Sequence, residues 1–451
     1  MSVVAVVQSG AALADSLTVA MEKAYATNPT LNAGRAGQRA IDEQVPQALS
    51  GWRPSVTVRG EASRTIENTA SSGATLFGPG FKTRQTDTAG VNITLSQPVF
   101  RGFRTVEGTR AAEARVDAGQ QNLLQTEQQV LFNVVQAYMN VYSGRQLVIL
   151  QKQNVAALEA QVRAANERFN VGEITRTDVA QARARLAQAM STLTDVEATL
   201  AGDVAEYLQV IGDEPGKLSY PKIKQLPKNL KSALQIAGEM NPQILARAFV
   251  EVAAQHDIGV AFSGLLPQAS LEASASILDP DLSSNVRQNR TASVSANLAV
   301  PLYEAGLVYS QVREAKQIAS QRQIQVIEIA RAVRQAVAAT WNAYIGAGKI
   351  IENSRTQVSA AQLALSGTQQ EYEAGTRTTL DVLDAQRELV TAKVLLVQAE
   401  KQRVIFGFQL LSAIGHLTAK DIGLNVAIYD PQENYNRVRN KWIGTDVDTA
   451  Q

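Results

Sequence analysis

Two long stretches of this chain place apolar residues at helical spacing and contain no proline. They run from Gly102 to Glu214 and from Leu302 to Asp430. Apolar side chains recur three or four residues apart, at Val130, Val134, Ala137 and Val141 and again at Val333, Val337, Trp341 and Tyr344. Each stretch is punctuated by a glycine, Gly172 or Gly375, with threonine and aspartate shortly after it. We therefore predict a C-cap, a tight turn and a new N-cap there, which makes each stretch a helical hairpin.

The segments that precede these hairpins change to a period of two. Apolar or small residues alternate with polar ones at Val56, Val58, Gly60 and Ala62, at Val91, Ile93 and Leu95, at Ala269, Leu271, Ala273, Ala275 and Ile277, and at Ala292, Val294, Ala296, Leu298 and Val300. Such alternation over about ten residues is typical of a transmembrane barrel strand. A half-solvated antiparallel sheet gives the same pattern, and the alternation alone does not separate the two.

The chain is an internal duplication. Asn28-Pro29 recurs as Asn241-Pro242, an offset of 213 residues, and Gly172 recurs as Gly375, an offset of 203 residues. The organisation predicted is a signal-peptide remnant over 1–14, a first repeat over 15–212, a linker over 213–229, a second repeat over 230–430 and an irregular polar tail over 431–451. Each repeat is expected to hold a helix broken at its Asn-Pro pair, a strand pair and a long helical hairpin.

Composition narrows the class of protein. Among 451 residues, 43 basic and 42 acidic side chains leave a net charge of +1, so no sequence-wide field favours nucleic acid. The absence of cysteine excludes a disulfide framework, a thiolate metal site and a lipid linked through an N-terminal cysteine. Residues 1–14 are largely apolar and close on Ala12-Leu13-Ala14, which resembles the end of a secretory signal. We therefore expect an exported protein.

Four strands are too few to close a membrane barrel, because about eight is the smallest number that spans a bilayer. An open sheet would leave unpaired backbone groups facing lipid, at a high cost in free energy. If the strands lie in a membrane, several chains must therefore share one barrel. Two chains would supply eight strands and three chains twelve, and the strand pattern does not choose between them.

One string of residues resembles a known family. It runs Tyr372-Glu373-Ala374-Gly375-Thr376-Arg377-Thr378-Thr379-Leu380-Asp381-Val382-Leu383-Asp384-Ala385, and together with the duplication it resembles the TolC-type outer-membrane efflux proteins. The resemblance covers residues 15–430. It implies a mixed α/β membrane protein of the unlipidated branch, a trimer whose four strands per chain form one twelve-stranded β-barrel continued by a tunnel of long coiled-coil helices. It also implies the outer membrane of a Gram-negative bacterium, with the tunnel extending into the periplasm.

The same resemblance assigns roles to residues at the hairpin ends. Asp381 and Asp384 share one helix face and would form a cation-selective entrance ring that divalent or larger cations could plug. Their crowding would raise their pKa values. The gate links would be Tyr372 to Asp178 and Arg377 to the region of Thr177. The hairpin tips that would contact a periplasmic adaptor are Gly172, Glu173, Gly375 and Thr376.

The function implied is an outer-membrane channel of a tripartite efflux or type I secretion system. Its partners would be two further copies of the chain, a periplasmic adaptor, an inner-membrane pump or ABC exporter, and outer-membrane lipid. The alternatives are a periplasmic coiled-coil adaptor and a helical scaffold without a channel. No Ser-His-Asp set, phosphate loop or zinc spacing occurs, and His256 and His416 lack partner motifs, so neither an enzyme nor a cofactor is expected. Asp381 and Asp384 could instead be ordinary charges at a helix N-terminus.

Overall fold

The computed structural model of the chain describes residues 16–70, 81–223, 226–279 and 288–447. The predicted signal remnant over 1–14 lies outside these residues, and so do the connections within the two strand pairs, 71–80 and 280–287. In the described ranges, none of the helices is both long and apolar enough to cross a membrane.

The two repeats share one order of elements, except that the first has an additional short helix, Gln44–Leu49, before its strands. The first holds α1 (Leu17–Thr27), α2 (Pro29–Asp42), α3 (Gln44–Leu49), β1 (Ser55–Ala70), β2 (Phe81–Arg101), α4 (Arg104–Asn170) and α5 (Arg176–Ile211). The second holds α6 (Leu230–Met240), α7 (Pro242–Phe262), β3 (Gln268–Asp279), β4 (Asn289–Ala299), α8 (Leu307–Glu373) and α9 (Thr379–Ala413), and α10 (Ala419–Ile422) and α11 (Pro431–Val438) follow. Helices α4 and α8 have 67 residues each, so each is about 100 Å long at a rise of about 1.5 Å per residue.

The four strands form one antiparallel sheet in the order β1-β2-β3-β4. The register pairs apolar residues across neighbouring strands, for example Val56 with Leu95 and Ala273 with Val294. Since paired residues share a face, one face of the sheet is apolar and the other is lined by threonine and serine. The apolar face is exposed in the single chain, where Val58 is 66% and Val294 is 82% accessible.

The main hydrophobic core lies where the short helices pack against the long ones. It combines side chains from α1, α4, α5, α6, α8 and α9, so both repeats contribute to it. Tyr138 of α4 is fully buried there. Its hydroxyl donates to the carbonyl of Ser219 and accepts from the amide of the same residue, both at 2.8 Å. This core therefore fixes the linker between the repeats against the first hairpin.

The repeated Asn-Pro pair fastens the two ends of each repeat together. The side-chain oxygen of Asn28 accepts from the first amides of α2, and its amide group donates to the carbonyl of Val210, near the end of α5, at 2.9 Å. Asn241 caps α7 in the same way and donates to Ala413, the last residue of α9, at 2.8 Å. Proline is favourable at the first position of a helix. At each predicted break, one helix therefore ends and the asparagine caps the next helix, which begins at the proline.

The C-terminal segment differs from the irregular tail predicted over 431–451. Residues Pro431–Val438 form α11, capped by Asp430. Asn434 is buried, and its side-chain amide donates to Asp42 Oδ2 at 2.6 Å, while Gln38 Nε2 donates to Asp42 Oδ1 at 2.8 Å. The polar composition of the segment concealed a helix that docks through buried hydrogen bonds together with two apolar contacts, those of Tyr435 and the buried Val438.

The buried carboxyl of Asp42 should make stability depend on pH. Burial raises its pKa, and hydrogen bonds from Asn434 and Gln38 only partly oppose this. Because the unfolded chain loses this proton first, at a pKa of about 3.9, the contribution of Asp42 to stability falls as pH rises from there to the raised folded pKa and is constant above it. We expect the melting temperature of the wild type, relative to Asp42→Asn, to fall over that range.

An ion pair elsewhere in the chain supplies a control of opposite sign. The hydrogen bond from Lys23 holds the pKa of Asp213 below its usual range. The melting temperature of the wild type should therefore exceed that of Asp213→Asn at neutral pH, and this difference should disappear as pH falls below about 4. A difference between wild type and Asp42→Asn that does not change with pH would contradict the role given to Asp42.

Candidate functional site at the hairpin ends

The turns that end the long arms have the same construction in both repeats. Gly172 and Gly375 adopt the left-handed conformation, with φ of 84° and 81°. Thr175 and Thr378 then cap α5 and α9 through capping boxes. The C-cap, turn and N-cap predicted at both glycines are therefore present.

Asp381 is the carboxylate of the second capping box. Its Oδ2 accepts from the amide of Thr378 at 2.9 Å and from the hydroxyl of the same residue at 2.8 Å. The hydrogen bond from the backbone of Thr378, with that from its side chain, holds the pKa of Asp381 below its usual range. Within the chain, this is opposite to the raised pKa expected from crowding, because the cap favours the ionised form.

Asp384 lies between two arginines. Its Oδ1 is 3.2 Å from Nη2 of Arg185, on α5 of the first hairpin, and 3.3 Å from Nη2 of Arg387 on its own helix. The neighbouring Leu383 is buried among first-hairpin residues, a cluster that includes Leu158, Val179 and Ala182. The structure thus joins the two hairpins at Asp384 and gives the two predicted ring carboxylates different surroundings.

The residues expected to hold the gate have other partners within the chain. Tyr372 Oη is 3.3 Å from Thr379 Oγ1, and the guanidinium of Arg168 lies 4.3 Å from the centre of the Tyr372 ring. Arg377 Nε donates to Glu371 Oε2 at 2.8 Å.

The expected bonds of Tyr372 to Asp178 and of Arg377 to the region of Thr177 are not formed between the described residues of this single chain. Asp178 is instead held by the capping box of Thr175, through the amide of Thr175 at 2.9 Å. Thr177 is exposed in the first turn of α5. Arg168, on α4, contacts the ring of Tyr372, on α8, so this contact also joins the two hairpins, at the ends of their long arms.

Sequence reasoning missed Arg168 and Arg185. A signal for Arg185 was present, because its counterpart in the second repeat is Glu388 and the counterpart of Asp384 is Gln181. The two copies therefore differ in charge at both positions of the pair, and this difference is visible in the sequence. No comparable signal marks Arg168, whose partner is an aromatic ring.

The predicted tip residues Gly172, Glu173, Gly375 and Thr376 are all exposed. Glu173 is 3.8 Å from Arg168, and Thr376 Oγ1 donates to the carbonyl of Glu371 at 2.9 Å. In the described ranges, no group of three or more His, Asp or Glu side chains could hold a metal ion. His256 pairs with Glu107 and His416 with Asp421.

Comparison with known proteins identifies the family. The family model described as "Outer membrane efflux protein" matches residues 20–212 and 233–416, one segment in each repeat. The chain belongs to this family. Its two matched segments coincide with the duplication, so this outer membrane efflux protein carries the family's repeat in both halves.

Two curated relatives extend over nearly the whole chain. The outer membrane efflux protein BepC of Brucella suis is 40% identical over 435 residues, covering 96% of this chain and 92% of BepC. The outer membrane protein TolC of Escherichia coli K12 is 26% identical, covering 93% of this chain and 86% of TolC. This efflux family protein is therefore an outer-membrane channel, and the periplasmic adaptor and the helical scaffold are not supported.

Solved structures agree on the fold. A crystal structure of CusC, a transmembrane channel, superposes with a TM-score of 0.78 at 18% identity, over 89% of this chain and 92% of CusC. The fold class predicted from the sequence is confirmed by this likeness together with the family: a trimeric barrel of four strands per chain, continued by a helical tunnel.

Proposed function

We propose that three copies of this chain form a gated duct from the periplasm to the outside, closed at its inner end by side-chain links between the two hairpins of each chain. The observation that carries the proposal is the pair of cross-hairpin contacts, Arg168 with Tyr372 and Arg185 with Asp384. Both lie near the turns that end the long helices.

The open sheet supports the assembly. Among the described residues, β1 and β4 each have one neighbouring strand only, so the sheet has two free edges. Free edges and an exposed apolar face are unfavourable in lipid unless the sheet closes on itself. Pairing β4 of one chain with β1 of the next, three times over, gives a closed barrel of twelve strands with its apolar face toward lipid.

Weak links suit a gate. An exposed ion pair contributes about 0–1 kcal/mol, and a cation–π contact at an exposed site about 0.5–1 kcal/mol. Two such links in each of three chains hold a closed state that a docked partner can release with modest differential contacts. Opening is then a change between two packings of the hairpins rather than a chemical step.

The exposed turns at Gly172 and Gly375 support a role in docking a periplasmic adaptor, which would connect the duct to an inner-membrane pump or ABC exporter. The left-handed glycines let both turns stay short, and ideal Cβ atoms placed on them would meet nothing within 4 Å. The space around these turns is therefore open to a partner. The exported compounds are those that the pump delivers.

Purification of the full chain tests this function. We expect it to require detergent, to run at the mass of three 48.5 kDa chains and to form channels of low conductance in planar bilayers, because the gate is closed. A protein that stays monomeric and soluble without detergent, and conducts nothing, would refute the duct.

A further inference from the structure

We propose that Arg185 sets the charge selectivity of the channel entrance by neutralising Asp384, so that anionic cargo enters more readily than a ring of six uncompensated carboxylates would allow. The inference rests on the proposed duct and specifies which ions and substrates it favours. It replaces the strongly cation-selective ring expected at Asp381 and Asp384.

The ion pair is held by the packing of the second hairpin against the first. Leu383, only 2% exposed, inserts into the seam of the first hairpin beside Val179 and Ala182. One turn on, Gln386 Nε2 lies 3.5 Å from Asn154 Oδ1 of α4. These contacts direct α9 toward α5, so the 3.2 Å approach of Arg185 to Asp384 follows from the helix packing.

Partial shielding makes the pair more effective than a free surface pair. The Arg185 side chain is 29% exposed and that of Asp384 is 43% exposed. Salt screens a partly buried pair less than an exposed one. Arg185 and Arg387, the two arginines beside Asp384, line a groove of about 140 Å³ between α4, α5 and α9. Their charges therefore remain close to solvent and can act on ions at the proposed entrance.

The formal charges at this position balance. Asp381 and Asp384 contribute two negative charges per chain, and Arg185 and Arg387 contribute two positive charges around Asp384. The capping box keeps Asp381 ionised. The entrance therefore has alternating signs rather than a single strong negative field, and such a ring discriminates weakly between cations and anions.

The pair is specific to the arrangement of the two copies. At the offset of 203 residues, Asp384 corresponds to Gln181 and Arg185 corresponds to Glu388. The duplicated position therefore cannot form the same pair, and a trimer contains three such pairs, each between the first and second hairpin of one chain.

Reversal potentials of the purified full-length channel in planar bilayers under a KCl gradient test the inference. Arg185→Gln removes three positive charges from the trimer. We expect it to raise the ratio of cation to anion permeability by roughly threefold at about 0.1 M salt, where the screening length is about 10 Å. Block by added divalent cations should strengthen by a similar factor, and Arg185→Lys should retain the wild-type ratio.

The double variant Arg185→Gln, Asp384→Asn provides the matched control, because it restores the balance of charge and should return the ratio to the wild-type value. A loosened entrance without a charge effect would lower selectivity instead of raising it. An unchanged reversal potential in Arg185→Gln would overturn the inference while leaving the duct intact. A wild-type protein without any conductance would instead refute the proposed function.

Discussion

Replacing Tyr372 by leucine should raise single-channel conductance several-fold, whereas replacing it by phenylalanine should leave the conductance close to that of the wild type. The contact across the hairpins is made by the face of the Tyr372 ring, which lies 4.3 Å from the guanidinium of Arg168. Phenylalanine keeps this face and leucine removes it. Arg168→Gln should open the channel to the same extent as Tyr372→Leu, because it removes the other half of the contact.

The phenylalanine variant discriminates between two gates. The family resemblance implies a bond from the Tyr372 hydroxyl to Asp178, and Tyr372→Phe would break that bond. A conductance that rises as much in Tyr372→Phe as in Tyr372→Leu would assign the gate to the hydroxyl and refute the ring contact. Arg377→Ser is a useful companion variant, since Arg377 pairs with Glu371 of its own hairpin, at 2.8 Å, and should have little effect alone.

Replacing Tyr138 by alanine should lower the free energy of unfolding by about 3–5 kcal/mol, the usual cost of removing a large buried aromatic side chain. The ring is completely buried in the core that joins both repeats, and the surrounding helices are held by many other contacts, so the cavity cannot collapse fully. Trp341 packs against the same core, and its fluorescence provides the signal for guanidinium unfolding of the detergent-solubilised protein.

Tyr138→Phe separates packing from hydrogen bonding at this position. It leaves the ring in place but removes the partner of the Ser219 amide and carbonyl. The cost of leaving such groups unsatisfied is about 1–3 kcal/mol. If Tyr138→Phe lowers the free energy of unfolding as much as Tyr138→Ala does, the hydrogen bonds to the linker, and not the filled volume, stabilise this core.

The architecture was predictable because it depends on periodic features of the sequence. Apolar spacing across Val130 to Val141 and alternation across Val56 to Ala62 each extend over many residues, so single exceptions do not obscure them. The turn at Gly375 was predictable for a local reason, since a glycine in the left-handed region followed by a threonine cap specifies the backbone by itself. The internal repeat then predicted most of the elements a second time, from different residues.

The pairing of charges at the site was not predictable in the same way. Asp178 and Asp381 have several available partners within a few residues, and the nearest one, the capping threonine, satisfies each of them. The partner of Asp384 is Arg185, which is remote in sequence and becomes close only after both hairpins pack. The helix Pro431–Val438 was missed because it docks through a polar contact of Asn434 with the buried Asp42, and its few apolar residues do not form a clear period.

The order of strands in the sheet has a consequence for how the chain folds. Strand β2 ends at Arg101 and its partner β3 begins at Gln268, and the whole first helical hairpin lies between them in sequence. Contacts between such distant segments form slowly, because the intervening chain must be ordered first. The helical part should therefore become structured before the sheet is complete. The apolar face of the sheet would then form last, when the chain has reached the lipid that covers this face.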